Sequence, residues 1–126
     1  MLKLSVKGSQ DGGWGLTQSY LSNEIRADCH GAADRWLARH TFQTAICLVQ
    51  FADVPDDELP RMYLAWPAEV AAQLRNASRG RGDTILWEDH LHGPRAFAAG
   101  TRDRLPDDWR LTRRRAETMA AKDGRD

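Results

Sequence analysis

The sequence predicts an α/β fold: a central mixed β-sheet flanked by helices, in a layered arrangement. Three observations predict it. Leu2, Leu4 and Val6 alternate with Lys3, Ser5 and Lys7, which is the period of a half-buried strand. TAICLVQF, residues 44–51, is a continuous apolar run, the pattern of a strand covered on both faces, so it belongs in the sheet interior. Apolar residues then recur at helical spacing around Trp36 and again after Pro67.

Taken in order, residues 2–7 form the first strand, with Leu2, Leu4 and Val6 facing the core and Lys3, Ser5 and Lys7 facing water. DGGWG, residues 11–15, has turn chemistry, and WGLTQSYL reads as a second strand that pairs antiparallel with the first from Trp14 to Tyr20. Ala32, Ala33, Trp36 and Leu37 place a helix over about 31–40. Its upstream extension over 23–30 is open, because Gly31 is a candidate interruption. DVPDDELP, residues 53–60, is an exposed loop. RMYLAW, 61–66, is the next strand, and Pro67 opens a helix at its favoured first position, continuing to about residue 77. SRGRGD is a loop, TILWED at 84–89 a short strand, and the stretch 90–108 is mostly irregular. A last helix starts at about residue 112 with Thr112 as its cap.

A chain of 126 residues suits one domain and supports a core without staples. Residues 1–122 read as a single α/β domain and 123–126 as a frayed tail. Lys plus Arg and Asp plus Glu number 18 each, so the net charge is zero. That argues against a surface that grips nucleic acid everywhere, while leaving room for a local basic groove. Cys29 and Cys47 are the only cysteines. Two thiols without a charged-then-apolar leader fit a reducing cytoplasm. No apolar run approaches the roughly 18 residues that span a bilayer, so no membrane partner is expected.

The chemistry concentrates on the first strand. Ser5 and Lys7 are two residues apart and leave the same face of the sheet. An acidic residue in the first of these positions would hold a divalent metal. The lysine would orient an attacking water and stabilise developing charge. The segment resembles the PD-(D/E)XK, or restriction-endonuclease-like, superfamily, and within it a bacterial family of unknown function. The matching pieces are SVKGSQ at 5–10, the turn and strand through Tyr20, CHGAADRWL at 29–37, AICLVQF at 45–51 and MYLAW at 62–66. The resemblance spans roughly residues 2–75. It implies a restriction-endonuclease-like core with Lys7 as the catalytic lysine, and it places His30 facing a groove where it would meet phosphate or a base. Gln18, on the second strand, is a further groove candidate beside Lys7.

The departures from that pattern are specific. The acidic position falls on Ser5, and no acidic residue precedes Lys7. The chain therefore reads as a nuclease-related, nucleic-acid-associated domain that is inactive alone. No cofactor is expected in the isolated chain, and Mg²⁺ would bind only if a further N-terminal segment supplied the Asp. Nucleic acid would lie over Lys3 and Lys7, helped by Arg113, Arg114 and Arg115, with Trp14 stacked on a base. Arg75, Arg79 and Arg81 form a second basic cluster, for which a solvated face is the simpler reading. Cys29-His30 and His90-x-His92 invite a zinc reading, but nothing has the paired Cys-x₂-Cys spacing, so no metal site is assigned. The alternative function is a non-catalytic interaction protein, a homodimer formed through the exposed hairpin or the early sheet edge. In that case Lys7 is a solvated edge residue.

Overall fold

The computed structural model describes residues 2–21, 28–41 and 43–122. Among these residues, seven strands and three α-helices follow in the order β1 (Lys3–Ser9), β2 (Gly13–Gly15), α1 (Cys29–Ala38), β3 (Thr44–Gln50), β4 (Arg61–Ala65), α2 (Pro67–Asn76), β5 (Ile85–Trp87), β6 (Asp89–Leu91), β7 (Arg102–Arg104) and α3 (Arg113–Lys122). The fold is mixed α/β. Its centre is a three-stranded sheet in the order β1-β3-β4.

The apolar run forms β3 and lies between two neighbours. It pairs parallel with β1, Lys3 opposite Thr44 through Ser9 opposite Gln50. It pairs antiparallel with β4, Ile46 opposite Ala65 through Gln50 opposite Arg61. A parallel pair needs a long crossover, and the chain between β1 and β3 supplies one that contains α1. Ile46, Leu48, Tyr63 and Ala65 face the larger core, packed against Trp36 of α1 and Val70, Ala71 and Leu74 of α2. Ala45, Cys47 and Leu64 face the other side, where Met119 of α3 covers them. A strand covered on both faces is apolar over its covered length, which is why β3 reads as an unbroken run from Ala45 to Val49.

Local chemistry sets the helix ends. Asp28 caps α1 by accepting from the Gly31 amide at 2.9 Å, so Gly31 sits inside the first turn and does not interrupt the helix. The helix runs from Cys29 to Ala38, and the upstream extension falls largely on residues 22–27, outside the described residues. Pro67 opens α2, with Glu69 reaching back to the Trp66 amide at 2.9 Å. Thr112 caps α3 through its hydroxyl, which accepts from the Arg115 amide at 3.0 Å. Residues 123–126 also lie outside the described residues.

Two expectations are corrected. First, β1 does not form a hairpin with residues 14–20. Only Gly13–Gly15 is a strand there, and it pairs antiparallel with β5. The Leu16 and Thr17 amides both turn to the Thr84 carbonyl, and Gln18–Tyr20 then closes into a 3₁₀ turn. Gly13 permits the tight β2–β5 contact, because a Cβ there would lie 2.8 Å from Ile85 Cγ2. Second, residues 84–89 split at Glu88. Its amide bonds the Gly12 carbonyl and its carbonyl takes the Leu105 amide, so the strand changes partner. Within the mostly irregular stretch 90–108, β7 pairs with β6.

Candidate functional site

β1 is an edge strand whose outer side is open among the described residues. The Lys3 amide donates to the Gln43 carbonyl and the Ser9 carbonyl accepts from the Phe51 amide, both at 2.8 Å. The odd-numbered residues thus bond β3. In an extended strand the backbone groups of Leu4, Val6 and Gly8 then point the other way. The opposite edge of the sheet is covered: the Leu111 amide donates to the Met62 carbonyl, and Tyr63 bridges Arg110.

Side chains alternate in the same register. Ser5 and Lys7 lie on the face of the larger core and are half-buried, while Leu4 and Val6 are 62% and 63% exposed. This inverts the expected orientation of the strand. The cause is the poor apolar content of α3, RRRAETMAAK, whose one buried residue is Met119. Such a helix covers Ala45, Cys47 and Leu64 but not β1. Phe51, 48% exposed, sits beside this apolar patch near Gly8. A sequence signal for the exposure existed. A central strand apolar on both faces needs two covering layers, and only a short Ala- and Arg-rich helix is left for the second.

Lys7 and Ser5 do share a face, as expected. Among the described residues no carboxylate forms an ion pair with Lys7. Ser5 and Gln18 bring no charged oxygen, so the donor set around Lys7 does not fit a hard divalent cation. Gln18 lies in the 3₁₀ turn with its amide group folded against Gly15, not on a strand beside Lys7. Trp14 is 2% exposed and donates its indole N–H to the Lys7 carbonyl at 3.1 Å. It packs edge-on to Tyr63 in the core, so it offers no free ring to a base.

The basic residues do not converge. α3 lies on the face opposite Lys3 and Lys7. Arg113 pairs with Glu117 in its own helix. Arg115 is 12% exposed and bonds Glu69 Oε1 at 2.8 Å and the Leu64 carbonyl at 3.1 Å, docking α3 onto α2 and β4. Arg114 is exposed. In the second cluster Arg75 pairs with Asp34, and Arg81 lies over the Phe97 ring.

The histidines are each engaged. His30 Nε2 donates to the Gly80 carbonyl at 2.8 Å, an assignment that follows from the acceptor. His90 stacks on Trp87, with ring centroids 4.0 Å apart, and His92 Nε2 lies 2.6 Å from Asp103 Oδ2. Among the described residues no three His, Cys, Asp or Glu side chains group as a metal ion would require. Burial pushes both thiols up, with Asp83 adding to the effect at Cys29, so neither has the lowered pKa of a reactive cysteine.

Sequence reading missed the charged cluster under β4. Arg61 grips Glu88 with two bonds, Nε to Oε2 at 2.7 Å and Nη2 to Oε1 at 2.9 Å, and Tyr63 donates its hydroxyl to the same carboxylate. Gln50, fully buried, accepts from the Gly12 and Ala52 amides. These groups tie the turn after β1 and the β5–β6 junction to the sheet.

Comparison with protein-family models, curated proteins and solved structures finds no match for this chain. Among the described residues no helix is long and apolar enough to cross a membrane.

Proposed function

We propose that this chain is a non-catalytic protein-interaction domain that offers the open edge of β1 to an extended strand of another polypeptide. The observation that carries the reading is the pairing of an uncovered edge with Leu4 and Val6, more than 60% exposed, on one face of it. Folded proteins blunt such edges with short strands, bulges, covering elements or charged side chains, and the charges of β1, Lys3 and Lys7, lie on the face away from Leu4 and Val6. β1 has seven residues. Strand addition to a free edge takes its affinity from main-chain bonds and its selectivity from alternate side chains. Two free thiols support a reducing, cytoplasmic setting for this role.

A nuclease-related, nucleic-acid-associated domain is the second reading. The order of segments over residues 2–75 supports it as ancestry, and Lys7 beside Ser5 on one strand face supports it locally. Nuclease chemistry would rest on Lys7 alone.

Residue-resolved amide exchange tests the first reading. The amides of Leu4, Val6 and Gly8 should become protected when protein concentration is raised, or when a peptide alternating valine and threonine is added. Val6→Pro, which removes an outward donor and spares the ladder to β3, should abolish that protection. Free exchange at these amides under both conditions would overturn the reading.

A further inference from the structure

Among the described residues nothing in the chain calls for a glycine at position 8. Its φ is not in the left-handed region, and among the described residues a Cβ there would meet only Phe51, 3.9 Å away, an ordinary contact. Glycine inside a strand weakens it, and where nothing in the same chain explains it, it often marks the close approach of another backbone. Gly8 lies on the open edge, on the same face as the exposed Leu4 and Val6.

We infer that the strand β1 receives is β1 of a second copy of this chain, antiparallel about a two-fold axis at Val6. The inference rests on the reading of β1 as an interaction edge and names its partner. Residues whose backbone groups point outward must face each other across an antiparallel ladder. That limits the registers to those pairing Leu4, Val6 and Gly8 among themselves. Centred on Ser5, the ladder sets Lys3 directly against Lys7 of the partner subunit; centred on Lys7, it sets that lysine against itself. Like charges directly opposite are destabilising. Centred on Leu4 or on Gly8, it leaves Gly8 or Leu4 unpaired.

The register centred on Val6 meets every requirement. Val6 faces its own copy, and Leu4 faces Gly8 across the axis. The missing side chain of Gly8 makes room for that leucine next to Phe51. On the other face Lys7 stands opposite Ser5 and Lys3 opposite Ser9. The two lysines at position 7 are then diagonal neighbours, farther apart than a direct pair. The two apolar patches join into one strip between two copies of α3, and the product is a continuous sheet in the order β4-β3-β1-β1-β3-β4.

The test uses the full chain. Sedimentation velocity should show a dimer that dissociates on dilution. Gly8→Val should shift it to monomer, weakening association at least tenfold, with the melting temperature of the dilute, monomeric chain unchanged or raised because valine suits a strand. Register is read by cross-linking. Ser5 and Lys7 across the axis form a non-hydrogen-bonded pair, with Cα atoms about 4.5 Å apart, within disulfide reach. Chains carrying Ser5→Cys mixed with chains carrying Lys7→Cys should join on mild oxidation, and either alone should not. A monomer at all concentrations would overturn the inference. So would a dimer indifferent to Gly8→Val that forms no mixed cross-link. A monomer whose Leu4, Val6 and Gly8 amides are still protected by the alternating peptide would overturn only the choice of partner, leaving β1 as an interaction edge.

Discussion

Arg61 and Glu88, 27 residues apart, form a two-bond ion pair beneath the sheet, with the Glu88 side chain 15% exposed and Arg61 30%. Burial alone would raise the Glu88 carboxyl. The hydrogen bonds from Arg61 and Tyr63, with the charge of Arg61, outweigh it and hold the group below the ordinary glutamate value. A depressed carboxyl stabilises the fold above its unfolded pKa of about 4.3, and that contribution is lost as pH falls through the folded value. Glu88→Gln should therefore cost about 1–3 kcal/mol at neutral pH, where Arg61 loses its partner. In urea titrations the gap between wild type and variant should close as the solution is acidified.

Trp14 is a folding residue. Trp14→Ala removes a buried ring from the larger core and should cost about 3–5 kcal/mol. Trp14→Phe keeps most of the packing and loses the bond to the Lys7 carbonyl. Its loss relative to wild type should be smaller, the missing bond itself contributing about 1 kcal/mol. Denaturant midpoints for the two variants check both figures, and a Trp14→Ala protein as stable as wild type would refute the placement.

The arginine triplet of α3 should split. Arg115→Ala breaks bonds to Glu69 and to the Leu64 carbonyl at a mostly buried site, and should cost about 1–3 kcal/mol. Arg114→Ala removes an exposed side chain and should stay within about 0.5 kcal/mol of wild type. Equal effects in thermal melts would contradict the docking of α3 through Arg115.

The sequence made some of this legible. The interior position of β3, the Pro67 start of α2 and the Thr112 cap all follow from local signals that tertiary context does not reverse. The partner of β1 was not legible. Alternation says which side chains share a face, but not which face is covered. The actual neighbour lies about 40 residues away, across α1. β7 has the sequence RDR and no apolar periodicity, so it exists only through its pairing with β6. Trp14 looked like a turn residue because glycines flank it. One of those glycines, Gly13, lets β2 approach β5 closely enough to bury the ring. The early sheet edge is expected from the sequence as an interaction surface, and the exposure of Leu4 and Val6 on it follows from α3 stopping short of them.

Salt separates the two functional readings, because they respond with opposite sign. Binding to duplex DNA through Lys3 and Lys7 would release counterions, and affinity would fall by about 0.9 log unit per log unit of salt for each phosphate neutralised. Pairing of two β1 strands brings two Lys7 side chains diagonally together, so added salt screens a repulsion and strengthens association. Lys3→Ala combined with Lys7→Ala discriminates in the same way. It should abolish any anisotropy change with a labelled duplex at low salt, while sedimentation shows the dimer held or strengthened. The expected result is a dimer that tightens with salt and with loss of the lysines. An association with DNA that weakens with salt, and disappears with Lys3 and Lys7 while the chain stays monomeric, would instead establish the nucleic-acid reading.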